Sequence, residues 1–150
     1  MKDTIKEIIE VVLKKLDKDT NNIYSEEASD LIFETGNAET GYKHLKQMGG
    51  GPAVGFFQIE GWVIKDCYVN YIKYRPILIK FAEALGFDED DMEFSVMSNI
   101  ALQVFFCRIC YRRRPGSIPM STQERAVYWK KEYNTEKGKG TPEHYMEANG

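Results

Sequence analysis

The chain has 150 residues, of which 43% are hydrophobic and 13% aromatic, and its net charge is −3. This length and composition predict one domain with a hydrophobic core and argue against a disordered chain. The net negative charge argues against a nucleic-acid-binding protein, which usually presents a basic face. No apolar run approaches the roughly 20 residues that a spanning helix needs, so we expect no stable membrane insertion.

The N-terminal part of the chain has helical periodicity. Apolar residues recur at three- and four-residue steps over residues 5–16 and predict a first helix. After a polar break, Ser25 is a candidate N-cap for a second helix that runs toward Glu39. We expect Gly41 to end this helix. Gly36, within it, indicates either a close helix–helix contact or access to a cleft.

A glycine-rich segment, residues 49–52, predicts a loop after the second helix. No Gly-Lys-Ser or Gly-Lys-Thr follows it, which argues against a phosphate-binding loop. Residues 53–60 then predict a small extended segment that forms a strand or a cleft wall.

The remaining chain is predicted to be helical, with Pro and Gly between the helices. The predicted helices begin at Trp62, Pro76, Phe94, Ser121 and Thr141. Residues 94–111 are the most apolar and predict one central buried helix. The fold class is therefore all-α, with residues 1–150 in a single domain.

The cysteines and a group of arginines are possible sites. Cys107 and Cys110 have CxxC spacing inside an apolar helix, and Cys67 is the third cysteine. Since no second pair completes a zinc site, we expect buried, reduced thiols, no metal and no cofactor. Arg108 and the cluster Arg112–Arg114 predict a solvated helix end, with contact to an anionic polymer as the alternative.

Four short motifs follow one another along the chain. They are Ala38-Glu39-Thr40-Gly41, the segment 53–59 (AVGFFQI), Ser98-Asn99-Ile100-Ala101 and Tyr133-Asn134-Thr135. Their order resembles the active-site signature of the soluble lytic transglycosylases and goose-type lysozymes, which cut peptidoglycan glycan strands. Residues 41–60 and 128–141 also resemble small phage-encoded lysins, so that the resemblance covers residues 30–142.

The resemblance implies a lysozyme-like fold in which Glu39 is the catalytic acid. It also implies that substrate is bound by Gly55, Phe56, Gln58, Asn99, Tyr133 and Asn134. Gly55 would let the backbone pass close to a sugar, Gln58 would line the cleft, and Tyr133 would pack near the catalytic carboxylate or hydrogen-bond it. The chain departs from the family pattern at Thr40, where serine is usual. Further departures are Phe56-Phe57 in place of Leu-Met and Glu60-Gly61 in place of a proline-containing turn.

The chemistry requires an acid that carries a proton near neutral pH. A glutamate at a helix end in an apolar cleft can have such a raised pKa. Glu34 and Glu60 are the competing carboxylates; we expect Glu34 to be a surface charge, whereas Glu60 can line the cleft. Asp66 is the nearest aspartate after the Gln58 motif.

The motifs leave three functions open. A lytic transglycosylase would use Glu39 alone and leave 1,6-anhydro ends on N-acetylmuramic acid. A lysozyme of the same fold would add water to the same β-1,4 bond, commonly with an aspartate base. A virion structural or binding protein could keep the lysozyme scaffold without catalysis.

The expected partner is peptidoglycan. The N-terminus begins with a charged amphipathic pattern and not with an apolar signal core. We therefore expect synthesis in the host cytoplasm without a signal peptide. The protein would then reach the bacterial cell wall through a holin or as part of the virion.

Overall fold

The computed structural model describes residues 1–150 and contains eight α-helices and two short strands. The elements are α1 (Lys2–Asp17), α2 (Glu26–Glu39), β1 (Ala53–Val54), β2 (Ile59–Glu60), α3 (Gly61–Asn70), a 3-10 turn (Ile72–Tyr74), α4 (Pro76–Leu85), α5 (Met92–Met97), α6 (Ile100–Arg112), α7 (Thr122–Trp129), a π-helical turn (Lys130–Asn134) and α8 (Pro142–Ala148). The prediction of an all-α chain is confirmed. No helix is both long enough and apolar enough to cross a bilayer.

Local sequence signals set most helix ends. Ser25 accepts a hydrogen bond from the Ala28 N–H, and Ser121 accepts one from the Glu124 N–H, so both act as N-caps. Pro76 lies in the first turn of α4, where its missing N–H costs no hydrogen bond. Gly86 ends α4 with a φ of 107°, a left-handed conformation that glycine adopts without a steric penalty.

The predicted central helix over residues 94–111 is wrong in one respect, because it is two helices, α5 and α6. The chain breaks at Asn99, whose Oδ1 accepts the Leu102 N–H at 3.0 Å. The same amide donates through Nδ2 to the Leu85 carbonyl at 2.6 Å. Asn99 therefore starts α6 and fixes it to the end of α4.

The α6 helix forms the centre of the core. It is buried along nearly its whole length and packs against α1, α2, α3 and α4. Cys67 and Cys107 are buried free thiols, as the sequence predicts, whereas Cys110 is only half-buried. Because the chain wraps around α6, the ends of α2 and α7 and the β1–β2 turn are brought to one region of the surface.

The extended segment predicted at residues 53–60 is confirmed as an antiparallel hairpin. Ala53 pairs with Glu60 and Val54 with Ile59. Lys46 forms an isolated bridge to Val54, which places the glycine-rich loop against the hairpin. The turn of the hairpin, residues 55–58, carries most of the second sequence motif.

Glu34 is not the surface charge that was predicted. Its carboxylate is buried and receives two hydrogen bonds from the Arg125 guanidinium, at 2.7 and 2.8 Å. Thr122 donates to it at 3.0 Å and the Tyr145 hydroxyl at 2.7 Å. Glu34 lies on a different side of α2 from Glu39, as its five-residue spacing predicts, but α7 and α8 cover that side. It thus joins three helices in one buried network.

Arg108 and Gly36 also differ from the predictions. The Arg108 side chain is buried, and its guanidinium donates to the Ile23 and Asn22 carbonyls, at 2.9 and 3.1 Å, so it is not a solvated helix end. Gly36 makes room for the Tyr42 ring rather than for another helix. A Cβ at residue 36 would overlap atoms of that ring.

Candidate active site

Glu39 is the last residue of α2, and its side chain is half-buried. The helix ends here because Gly41 takes a positive φ of 61°, and its N–H bonds back to the Gly36 carbonyl at 3.0 Å. The backbone then turns away from the helix axis. The Glu39 carboxylate is left at the edge of the core, where α7 and the hairpin turn meet α2.

The Glu39 carboxylate accepts one hydrogen bond, from the indole of Trp129. Trp129 Nε1 donates to Glu39 Oε2 at 3.0 Å. The other oxygen, Oε1, has no partner, and it is not enclosed. The only enclosed side-chain polar atoms without a partner are Ser29 Oγ and Asn37 Oδ1. Because Oε2 accepts the indole N–H, Oε1 is the oxygen left without a hydrogen-bond partner and available to carry a proton.

The pKa of Glu39 is raised from its ordinary value of 4.5 to about 7. Burial is the larger cause, since it disfavours the charged form. The hydrogen bond from Trp129 acts in the opposite direction because it favours the carboxylate. The balance leaves Glu39 able to hold and to release a proton near neutral pH.

Trp129 is held rigidly at the end of α7. Its side chain is 1% exposed, and its ring packs on Tyr145 with 5.3 Å between the centroids. Gly140 also lies against the indole, where a Cβ would overlap the ring. The direction of the Nε1–H donor is therefore fixed by packing.

Three side chains bind the backbone of the hairpin turn next to Glu39. Thr40 Oγ1 donates to the Phe56 carbonyl at 2.8 Å. Gln103 Oε1 accepts the Phe56 N–H at 2.9 Å. The Tyr133 hydroxyl donates to the Phe57 carbonyl at 2.6 Å. The end of α2, the middle of α6 and the π-helical turn thus meet at residues 55–58.

Gly55 and Gln58 both determine the backbone conformation of this turn. Gly55 has a φ of 80°, and a Cβ there would meet the Gln103 side chain at 2.9 Å. Residue 55 must therefore be glycine because Gln103 approaches it closely. That a sugar also passes close to Gly55 stays a prediction. Gln58 has a positive φ of 52°, and its Nε2 donates to the Gly55 carbonyl at 2.9 Å.

Tyr133 lies near Glu39 but does not hydrogen-bond it. Its ring stacks on Tyr111 at 5.0 Å, and the Tyr111 hydroxyl bonds Thr35 Oγ1 at 2.7 Å. Burial raises the pKa of Tyr133, and the negative charge of Glu39 adds to that effect. Of the two roles predicted for Tyr133, packing near the carboxylate or hydrogen-bonding it, the hydrogen bond is made by Trp129, one helical turn earlier in the chain.

The two asparagines of the motifs, Asn99 and Asn134, make hydrogen bonds within the protein. Asn134 Oδ1 accepts from Lys130 Nζ at 2.8 Å, and its side chain packs closely against Gly138. The amide of Asn99 is used at the start of α6. The structure therefore brings Glu39, Phe56 and Tyr133 together, whereas the side-chain bonds of Asn99 and Asn134 lie within their own local structure. Their roles in substrate binding stay predictions.

The other acidic candidates are already engaged. Glu34 is paired with Arg125, and Glu60 accepts a hydrogen bond from Trp62. Asp66 accepts from Asn70 at 2.7 Å and from Arg113 at 2.9 Å, and these two bonds lower its pKa. No group of three or more His, Cys, Asp and Glu side chains is placed to hold a metal ion.

Sequence reasoning missed two residues of the site, Trp129 and Gln103. Gln103 carried a signal, because it is a polar residue in the most apolar helix, and buried polar groups need hydrogen-bond partners. Trp129 lies one helical turn before the Tyr133 motif, but nothing local distinguishes it from a core residue. Comparisons with protein-family models, with curated proteins and with solved structures found no match to this chain.

Proposed function

We propose that the chain is a peptidoglycan-cleaving enzyme with a lysozyme-like fold. Its substrate is the β-1,4 bond between N-acetylmuramic acid and N-acetylglucosamine, and Glu39 is the general acid. The proposal rests on the resemblance of the motifs and on one structural observation. Glu39 is a half-buried carboxyl group with a pKa of about 7 and one accessible oxygen, beside the turn that carries the second motif.

The geometry supports a defined first step. Protonated Glu39 presents its proton on Oε1, because Oε2 accepts the Trp129 N–H. The proton passes to the glycosidic oxygen as the C1–O bond breaks, and the leaving sugar departs as an alcohol. Glu39 becomes a carboxylate next to the oxocarbenium-like C1. The Trp129 hydrogen bond stabilises that carboxylate as it forms.

The surroundings of Glu39 favour the transglycosylase route for the second step. The C6 hydroxyl of the same sugar attacks C1, and Glu39 takes the proton that this hydroxyl loses. Glu39 returns to its acid form, and the product carries a 1,6-anhydro ring. A hydrolase would need a base for water, but Glu34 and Asp66 are each paired with an arginine.

The same chemistry defines where the enzyme acts. Its substrate lies in the bacterial cell wall, and it would arrive there through a holin or as part of a virion. The alternative is a virion structural or binding protein on the same scaffold. That protein would keep the fold and the bonds of the hairpin turn but would release no sugar product.

The direct test compares dye release from labelled, purified peptidoglycan by the wild type and by Glu39→Gln. We expect the variant to lose at least about 100-fold in rate, the usual contribution of a general acid, with an unchanged circular dichroism spectrum. Asp66→Asn is the matched control, because Asp66 is an exposed carboxylate bound to Arg113, and it should keep wild-type activity. Equal release by Glu39→Gln and the wild type would remove the assignment.

A further inference from the structure

Two of the three free cysteines meet where α3 packs on α6, outside the candidate active site. Cys67 lies in the second half of α3, and Cys110 lies in the last turn of α6, 43 positions later in the chain. Their sulfur atoms are 3.9 Å apart, within hydrogen-bond distance for two thiols. Cys107 is not part of this pair, because it is completely buried one turn earlier in α6.

A disulfide between the two sulfur atoms needs only a short movement. The S–S bond of a disulfide is about 2.0 Å long, and the two Sγ atoms start 3.9 Å apart. Rotation about χ1 moves each Sγ without moving its helix. Because α3 and α6 already pack against each other, the pair is placed for a crosslink.

Arg113 makes Cys67 the more reactive member of the pair. Its guanidinium donates to Cys67 Sγ at 3.7 Å and to Asp66 Oδ2 at 2.9 Å. The hydrogen bond from Cys110 is the largest cause that lowers the pKa of Cys67; burial opposes it, and the bond from Arg113 adds to it. Since the thiolate is the reactive form of a cysteine, Cys67 is the nucleophile.

The position of Cys67 selects a small oxidant. The residue is only 2% exposed, which argues against a protein oxidant. The Arg113 side chain that contacts its sulfur is 27% exposed, so the sulfur lies one side chain away from solvent. Hydrogen peroxide is little larger than a water molecule and carries no charge, and it oxidises cysteine thiolates.

The two helices that the cysteines join also hold the hairpin turn. The α3 helix begins at Gly61, directly after β2, and α6 carries Gln103, which accepts the Phe56 N–H at 2.9 Å. A bond between Cys67 and Cys110 closes a ring that runs from the turn through β2, α3 and α6 and back to the turn through Gln103. A crosslink of this kind disfavours open forms of the chain.

We propose that Cys67 and Cys110 form a peroxide-sensitive dithiol, which closes into a disulfide and tightens the hairpin turn against α6. The Cys67 thiolate attacks one oxygen of hydrogen peroxide, the O–O bond breaks, and hydroxide leaves and is protonated to water. Cys110 loses its proton and attacks Cys67 Sγ, and the oxygen of the sulfenic acid leaves as a second water. Two thiols thus lose two electrons, and one peroxide becomes two waters.

The first test locates the crosslink. The full chain is treated with hydrogen peroxide and digested without reduction for mass spectrometry. We expect one pair of peptides joined through Cys67 and Cys110, with Cys107 still a free thiol, and we expect dithiothreitol to reverse the crosslink. In Cys110→Ala the reaction should stop at a sulfenic acid on Cys67, which dimedone traps. Three free thiols after treatment, or a crosslink that includes Cys107, would overturn the inference.

A rate measurement tests the role of Arg113. Arg113→Gln removes the cation beside Cys67, so we expect crosslinking to slow about threefold or more. Arg114→Gln is the matched control, because it removes a neighbouring positive charge that makes no hydrogen bond to Cys67, and its rate should equal that of the wild type. Equal rates for the two variants would remove Arg113 from the proposal.

Stability and hydrogen exchange test the effect on the hairpin. The oxidised protein is compared with the same sample after reduction by dithiothreitol. The oxidised form should melt about 5 °C or more above the reduced form, and the peptide that contains Phe56 should exchange its amide hydrogens more slowly. Equal melting and exchange of the two forms would contradict the tightening. No readout depends on glycan cleavage, so the inference goes beyond the proposed function and fails or holds separately from Glu39.

Discussion

Trp129 Nε1 lies 3.0 Å from Glu39 Oε2, and these two residues are 90 positions apart in the sequence. The bond joins the last residue of α7 to the last residue of α2. It leaves Oε1 as the carboxylate oxygen without a hydrogen-bond partner. The acidity of Glu39 is therefore set by two opposing effects, burial and a single indole donor.

The activity of the wild type should fall as pH rises through about 7, because the acid must be protonated at the start of the reaction. Trp129→Phe removes the donor that favours the carboxylate, so the pKa of Glu39 rises further. We expect the midpoint of the alkaline limb of kcat/KM to move up by about one pH unit. Tyr133→Phe is the control, because its hydroxyl bonds the Phe57 carbonyl and not Glu39. If the alkaline limb of kcat/KM has the same midpoint in Trp129→Phe as in the wild type, a group other than Glu39 controls it.

Stability should also report the raised pKa of Glu39, independently of any substrate. The folded state holds the proton up to about pH 7, and the unfolded chain loses it near 4.5. Stability from this group is therefore complete below pH 4.5 and is lost as pH rises to 7. Between those limits the wild type should lose up to about 3 kcal/mol relative to Glu39→Gln, as measured by urea unfolding. Parallel pH profiles for the two proteins would contradict the burial of the carboxyl group.

Gly55→Ala should destabilise the fold by about 2–3 kcal/mol, through backbone strain and collision with Gln103. Gly50→Ala is the matched control, because residue 50 has a similar φ of 83° with no atom within 4 Å of the added Cβ. It should cost only about 1 kcal/mol. The measurement is urea unfolding at one pH. Equal costs for the two variants would remove Gln103 as the reason for glycine at residue 55.

Arg125→Met should cost about 3–5 kcal/mol, because it leaves the buried Glu34 carboxylate without its cation. Asp66→Asn, which breaks the exposed pair with Arg113, should cost less than about 1 kcal/mol. Thermal or urea unfolding of both variants checks the contrast. A small effect of Arg125→Met would mean that water reaches Glu34 and that the three helices are not joined through it.

The sequence predicted those parts of the fold that local chemistry controls. Ser25 and Pro76 mark helix starts through their own side-chain and backbone preferences, and both lie where they were expected. The break at Asn99 was missed, because uninterrupted apolar residues on both sides hide an N-cap.

The errors at the site come from contacts between distant parts of the chain. Glu34 was placed on the surface because nothing near it in sequence shows that Arg125 and Tyr145 cover it. Trp129 was missed because its donor is useful only once α7 meets the end of α2. Glu39, by contrast, stood out because a short motif carried it.

Mass spectrometry of the soluble fragments released from purified peptidoglycan tests the central claim most directly. We predict that the wild type releases fragments with 1,6-anhydro-muramic ends and that Glu39→Gln releases none. If the wild type releases fragments with reducing ends and Glu39→Gln releases none, Glu39 remains the acid. Water, and not the C6 hydroxyl, then attacks C1. No fragments from the wild type, or the same fragments from Glu39→Gln, would contradict the assignment of Glu39 as the catalytic acid.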